Sequence, residues 1–287
     1  MKIGITGATG QLGNWVVQKL KERIGSEYLV ALVRNPDKAK KLEIEARPFD
    51  YNEEDGLEES LKGIDSLLLI SGSEIGKRRI QHQNVIKAAL LADVKRIVYT
   101  SLLHADKSSM SLASEHMATE ELLKVCNIPY TILRNGWYTE NYTSGLKHAV
   151  ESGVMVSSAG KGKISSATRE DYAEAAAVIL TSEGYEGKVL ELAGDESYTL
   201  NDLATEVSKQ LGKEITHKNL PESEYAEILI NSGLPRELAK SLASFDYCAS
   251  KDELFDGDKV LSKILGRPTT SLREAVKTSI ENHFVLL

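Results

Sequence analysis

The sequence predicts an α/β protein: a doubly wound parallel sheet with helices on both faces, followed by a smaller C-terminal α/β lobe. Three observations carry this expectation. Short apolar runs recur at 2–5 (KIGI), 28–33 (YLVALV), 66–70 (SLLLI), 96–100 (RIVYT) and 130–134 (YTILR), and strands that are apolar at successive positions are those buried on both faces of a parallel sheet. Helical patterns lie between them; Val85, Ala88, Ala89 and Ala92 fall at i, i+3, i+4 and i+7 and share one helix face. The first run leads directly into ITGATGQLG (5–13), which reads as strand, glycine-rich turn and helix start.

In chain order, the first strand ends at Thr6 and its helix begins near Gln11. Strand and helix alternate to about residue 150, which bounds an expected nucleotide-binding domain of the Rossmann type over 1–150. Beyond it, GVMVSSAGKGKISSATRED (153–171) is rich in Gly and Ser. A helix over 170–182 follows, and a strand near 188–192 returns to the sheet. The rest of 151–287 is expected to form mainly the smaller, substrate-side lobe. Leu220-Pro221 and Leu234-Pro235 mark two of its helix starts, since proline costs nothing where the N–H is unpaired anyway. The cleft between lobe and main domain is the natural substrate site.

Composition narrows the function. A net charge of −7 over 287 residues leaves no electrostatic footprint for nucleic acid. The one dense basic run, Lys77-Arg78-Arg79, reads as a solvated helix end. No charged leader with a long apolar stretch opens the sequence, and the longest apolar runs are too short to span a membrane, so a cytoplasmic protein is expected. Cys126 and Cys248 make neither a disulfide framework nor a metal site, the six histidines are scattered, and no metal is expected. Assembly into a homo-oligomer is left open.

The three glycines have distinct tasks. Gly7 permits the tight turn, Gly10 lets the backbone approach a pyrophosphate, and Gly13 lets the helix pack closely on the strand. The anion then meets free N–H groups and the positive end of the helix dipole. A site for NAD commonly carries an acidic residue at the end of the second strand to bind the ribose 2′-hydroxyl. This sequence has Arg34 there, 21 residues beyond Gly13. A guanidinium suits a 2′-phosphate, which it grips with two donors, so the expected cofactor is NADP(H), with Lys38 adding charge. The alternative for Arg34 is a plain surface arginine.

The segments ITGATGQLG, ALVRNP, LLLISGSE, YTSLLHAD, LRNGWYTENY and ELAGD, spread over residues 5–195, together resemble the NmrA-like atypical branch of the short-chain dehydrogenase/reductases. Within it, the sequence is most similar to the bacterial type 2 NAD(P)H:quinone oxidoreductases, with the triphenylmethane reductases nearby. The resemblance implies that Gly7, Ala8, Thr9, Gly10, Gln11, Leu12 and Gly13 wrap the pyrophosphate and that Arg34 meets the 2′-phosphate. It implies further that Asp50, after a third strand, faces the adenine, and that Ser71, Gly72 and Ser73 pass beside the cofactor.

Typical members of the wider group place a Tyr-x-x-x-Lys pair on the helix after the fifth strand, where the tyrosine protonates a ketone oxygen. Here SEHMATE offers His116 and Glu120 at that spacing. Tyr247 and Lys251 repeat the pattern more than a hundred residues later and read as coincidence. Reduction of a ketone creates a strongly basic alkoxide and needs a positioned acid. Reduction of a quinone creates a resonance-stabilised phenolate and needs one far less, so catalysis can rest on proximity and orientation. The acceptor is therefore expected to be a quinone or a similar flat small molecule. Its pocket draws on Asn135, Trp137 and Tyr138, with Asn141 and Tyr142 close by; Trp137 and Tyr142 alternatively staple the lobe to the sheet. His82 and His104 read as structural or surface residues. The competing function is a non-catalytic NADP(H)-binding redox sensor, with which the missing Tyr and Lys are equally compatible.

Overall fold

The computed structural model describes residues 1–284. Seven strands form one sheet: β1 (Ile3–Thr6), β2 (Leu29–Val33), β3 (Glu45–Pro48), β4 (Ser66–Leu69), β5 (Arg96–Leu102), β6 (Tyr130–Asn135) and, after β7 (Val154–Ser157) in the lobe, β8 (Val189–Leu192). Their order is β3-β2-β1-β4-β5-β6-β8, and every neighbouring pair is parallel. The chain winds outward from β1 to β3, then crosses back to place β4 on the other side of β1. The carboxyl edge between β1 and β4 is thus the point where the strand order reverses, the place where open parallel sheets hold ligands.

The apolar runs are continuous because alternate residues serve opposite layers. On β2, Leu29, Ala31 and Val33 pack into one core, while Val30 and Leu32 pack into the other. The first core is covered by α1 (Gln11–Ile24) and the second by α2 (Leu57–Leu61), α3 (Arg78–Leu91) and α4 (Ser111–Val125). The segment after β6 carries α5 (Glu140–Thr143) and α6 (Leu146–Ser152). Then α7 (Arg169–Leu180) returns to lie against α1. Its run of Ala173, Ala175, Ala176 and Ala177 is fully buried there, since short side chains let two helices approach closely. Thus α7 and β8, both beyond residue 150, are built into the sheet and its covering layer.

The lobe comprises β7, α8 (Leu200–Leu211), β9 (Thr216–Asn219), α9 (Glu222–Asn231), α10 (Arg236–Ala249), α11 (Val260–Leu265) and α12 (Leu272–Phe284), although α11 packs back onto α7. Thr199 caps α8 reciprocally with Asp202, fixing its start. Pro221 and Pro235 stand at the N-caps of α9 and α10, where the two Leu-Pro pairs place helix starts. A separate core joins Leu203, Val207, Phe245 and Val276 with Trp137 and Tyr142 from the segment leaving β6. No described helix is long and apolar enough to cross a membrane.

Three strands depart from the sequence reading. β3, an edge strand of sequence EARP, has no apolar period, and only the family resemblance places a strand before Asp50. The parallel pair β7 and β9 sits within segments that read as loop and helix. The Lys77-Arg78-Arg79 expectation also needs correction: Arg78 is buried and donates from Nε to the Gly72 carbonyl at 2.5 Å.

The fold depends on a close approach at the first turn. A Cβ on Gly13 would stand 2.3 Å from the Gly7 carbonyl oxygen and 2.8 Å from the Ala8 Cα. Both are backbone atoms that cannot swing aside. Gly13→Ala should therefore destabilise the protein by about 1–3 kcal/mol through overpacking, read as a midpoint several degrees lower in calorimetry. An unchanged midpoint would mean that α1 shifts freely against β1.

Candidate active site

The glycine turn lies at the carboxyl end of β1. Gly7 adopts φ +58°, which side chains rarely allow, and its N–H donates to Leu32 O at 3.1 Å. Gly10 is the N-cap of α1, and no side chain caps the helix there. The first-turn N–H groups and the helix dipole therefore face the turn without a protein anion in front of them. Gly7, Gly10 and Gln11 are exposed, Thr9 is half-buried, and Ala8, Leu12 and Gly13 are buried beneath them.

Arg34 follows β2, exposed and engaged by no ion pair among the described residues. Asp50 follows β3, half-buried, with Oδ1 accepting from the Asn52 amide at 3.0 Å and from its side chain at 3.1 Å. Ser71 and Gly72 follow β4 and are held from beneath by side chains. The Ser71 N–H donates to Thr100 Oγ1 at 2.9 Å and the Gly72 N–H to His82 Nε2 at 3.0 Å, while Arg78 takes the Gly72 carbonyl. Tyr51 completes the support, its one hydroxyl proton shared between Thr6 Oγ1 and, at 2.8 Å, Ile70 O. Arg34, Asp50, Ser71 and Gly72 thus stand on successive strand ends around the glycine turn.

The hydrogen bonds assign the His82 tautomer. Nε2 accepts from Gly72, so Nδ1 carries the proton and donates to Thr119 Oγ1 at 2.8 Å. A second proton would face the Gly72 N–H, and burial, aided by Arg78, holds the pKa down to about 3. His116 is likewise held to about 3 by burial, with the Tyr99 hydroxyl at 2.8 Å from its Nδ1. Glu120, four residues on, is fully buried and takes Arg134 in a two-point pair at 3.0 and 2.8 Å, with Ser101 donating at 2.6 Å. Both side chains at the spacing of the missing Tyr-x-x-x-Lys pair are thus consumed by structural contacts. Tyr247 and Lys251 pack on one another at an exposed site at the end of α10, with Lys251 Nζ 4.3 Å from the ring centroid.

A cleft of about 1680 Å³ runs between the glycine turn and the lobe. Thr9, Gly10 and Gln11 line one end; Trp137, Asn141 and Tyr142 line it where the chain leaves β6. The structure separates the other two residues read as pocket walls. Asn135 is buried at the end of β6, and Tyr138 turns into the sheet layer, edge-on to Tyr172 at 5.4 Å and with the Arg169 guanidinium 4.6 Å from its ring centroid. Tyr138 differs from Trp137 because its backbone bridges Ala167, which aims the ring away from the lobe. His104 sits in a left-handed turn with its ring 2.9 Å from Asp256.

The residues fit a dinucleotide. The Gly13 approach leaves the turn bare of side chains, a Cβ on Gly72 would stand 2.7 Å from Gln81 Oε1, and Gln81 Oε1 and Asn135 Oδ1 are buried acceptors without a hydrogen-bond partner among the described residues. A sequence model of the family described as NAD(P)H-binding matches residues 7–183. The chain belongs to the NAD(P)H-binding family. Among its curated relatives, quinone oxidoreductase 2 of Escherichia coli (strain K12) is 53% identical over 277 residues, covering 96% of this chain and 97% of the relative. The crystal structure of the NADPH-dependent quinone oxidoreductase from E. coli complexed with NADPH superposes with a TM-score of 0.94 at 52% identity, over 96% and 99% of the two chains. Triphenylmethane reductase of Citrobacter sp. complexed with NADP(H) gives 0.94 at 39% identity, over 97% and 100%.

Sequence reasoning named strand-end residues that the structure places around the glycine turn, and missed the buried ones that hold them, Thr6, Tyr51, Arg78 and Thr100. Arg78 and His82 fall one turn apart on α3, directly after the LLLISGSE segment, which is the signal that would have joined them to it. The lobe's contribution to the cleft, Tyr225, Phe245 and Asp246, carried no motif.

The neutral histidines make stability depend on pH. Their folded pKa lies below the unfolded value near 6.5, so the unfolded chain takes up protons first. Their contribution is complete above pH 6.5 and is lost as pH falls toward 3, at about 1.4 kcal/mol per pH unit for each. His82→Gln keeps an acceptor for Gly72, and its unfolding free energy should fall less steeply than wild type between pH 6.5 and 4.5. Parallel slopes in denaturant melts would show that His82 is not buried neutral.

Proposed function

We propose that this protein is an NADPH-dependent reductase that passes hydride to a quinone-type, electron-poor acceptor. The observation that carries the reading is the use made of residues 116 and 120: where a ketone reductase keeps its acid and its lysine, this chain keeps a histidine bound to Tyr99 and a glutamate bound to Arg134. Neither side chain is free to protonate the alkoxide that a ketone would leave. A quinone yields a delocalised phenolate and asks mainly for orientation. The near full-length likeness to an E. coli quinone oxidoreductase supports the same acceptor class.

Each part of the site has a task in this reading. The first turn of α1 binds the diphosphate through its N–H groups and dipole. Arg34 grips the 2′-phosphate, where its two-point geometry selects NADPH over NADH. Asp50 stands on the adenine side, and the buttressed Ser71-Gly72 backbone fixes the path past β4. Bound NADPH supplies the hydride. Trp137 and Tyr142 offer flat walls to the acceptor, and the lobe helices shield it from water. Tyr138, its hydroxyl raised in pKa by burial, packs the floor and acts as no acid.

Purified protein should oxidise NADPH with a simple benzoquinone rapidly and saturably, and NADH much more slowly. Tight NADPH binding without acceptor-dependent oxidation would instead leave a redox sensor. Arg34→Ala should lose about 1.5–3 kcal/mol of NADPH binding, the worth of hydrogen bonds to a charged group, with NADH binding little changed; equal losses would make Arg34 structural. Tyr138→Phe should keep most of the turnover, and its complete loss with NADPH binding intact would contradict the role given to Tyr138.

A further inference from the structure

The lobe side of the cleft holds a buried acid that the reading above leaves unused. Asp246 lies on α10 and is 5% exposed. It follows Phe245, whose ring meets Trp137 edge-on at 5.7 Å, and it borders the cleft. Among the described residues no cation pairs with it. Its contacts are two long hydrogen bonds, from the Tyr142 hydroxyl to Oδ1 at 3.3 Å and from the Ser158 N–H to Oδ2 at 3.4 Å. A carboxylate so enclosed loses its hydration for little return, and burial accordingly pushes its pKa up to about 6.

The groups that face it do not reverse this. Tyr142 from α5 and Tyr225 from α9 are held neutral by burial, as is Tyr198 beside Tyr142. Of the charged groups along the cleft, Arg169 pairs with Glu140 at 3.4 Å and Glu170 with Lys19 at 2.6 Å. Lys41 and His148 line the cleft as well.

We propose that Asp246 is the proton donor to the oxygen of the quinone-type acceptor, with Tyr142 and the Ser158 amide holding its carboxyl in place. The proposal rests on the quinone-reductase reading. Hydride adds to the acceptor with its electron pair and leaves a phenolate. The Asp246 O–H bond breaks, an O–H bond forms on that oxygen, and the remaining carboxylate takes up a proton from bulk solvent once the product has left. A carboxylic acid is far stronger than a phenol of ordinary pKa near 10, so the transfer runs downhill. Tyr142 is the poorer donor, because its own proton is held by burial beside a carboxyl.

The test is the pH profile of benzoquinone reduction at saturating NADPH. Wild-type turnover should decline from pH 6 to 8, approaching tenfold per unit once Asp246 is ionised. Asp246→Asn should turn over about 10²-fold more slowly at pH 6 and lose that decline, with NADPH affinity by fluorescence titration unchanged. Asp246→Glu should restore part of both. Infrared titration of the NADPH complex adds a readout independent of turnover: the carbonyl stretch of a protonated carboxyl should fade between pH 5 and 7 in wild type and be missing from Asp246→Asn. If the asparagine variant does not fold, the wild-type profile and the glutamate variant decide. A wild-type rate that is flat with pH, or an asparagine variant with wild-type rate and profile, overturns the proposal. A wild type that binds NADPH yet reduces no benzoquinone at any pH overturns the reading beneath it instead.

Discussion

Contact between the backbone of α1 and the backbone of the turn before it sets the geometry of everything built around that turn. With no atom beyond Cα at position 13, the helix seats against Gly7 and Ala8 at a distance that excludes even a methyl group. That seating aims the positive end of a fourteen-residue dipole at the edge where the strand order reverses. It also fixes the face of α1 that receives α7, so the second covering helix of the same layer takes its position from the first. The carboxyl edge of the sheet thereby becomes a frame of strand ends at Thr6, Val33, Pro48 and Leu69, beyond which stand Gly7, Arg34, Asp50 and Ser71.

The loops on that frame are not left to their own conformational preferences. Beneath Ser71 and Gly72 lies a set of buried donors and acceptors in which each member meets another: Thr100 and His82 accept the backbone N–H groups, Arg78 takes the carbonyl, and Tyr51 ties β1 to β4 through Thr6. Such networks are costly when half-made and specific when complete. Here the network ties both N–H groups and the carbonyl past β4 to buried side chains, and backbone held in this way has less ordering entropy to lose on binding. The lobe is joined differently, through the edge-on contact of Trp137 with Phe245 and the hydrogen bond from the Tyr142 hydroxyl to Asp246.

The parts of this structure that follow from local pattern were legible in the sequence. Strands buried on both faces read as apolar runs, and a turn that needs bare backbone reads as spaced glycines, so β1, β2, β4, β5 and β6, the start of α1, and Arg34 could all be located. Of the edge strands, β8 kept enough of an apolar run to be placed, but β3, β7 and β9 are partly exposed, and EARP, VMVS and THKN owe their pairing to neighbours distant in the chain. Charge misled for a related reason. Arg78 belongs to a basic run that looks solvated, yet tertiary packing turns one of its three side chains inward. Trp137 and Tyr138 are adjacent and chemically alike, and only the bridge from Tyr138 to Ala167, 29 residues away, sends one to the cleft and the other to the core.

The Arg134 cluster bears on how freely such a site changes its chemistry. Arg134 is nearly buried and answers to Glu120, to Glu191 at 2.8 Å and to Asp106 at 2.5 Å, with Glu120 the only fully buried partner. Position 120 is also where a lysine would stand to rebuild the acid and base of a ketone reductase. Such a lysine would set a second cation against the guanidinium and leave Ser101 without its acceptor, so the replacement demands simultaneous change on β5, α4 and β6. Replacement of Glu120 alone therefore passes through a protein with two cations side by side in its core. The present specificity is entrenched by packing, and reversal has to begin at Arg134, a residue that lies outside both the glycine turn and the cleft.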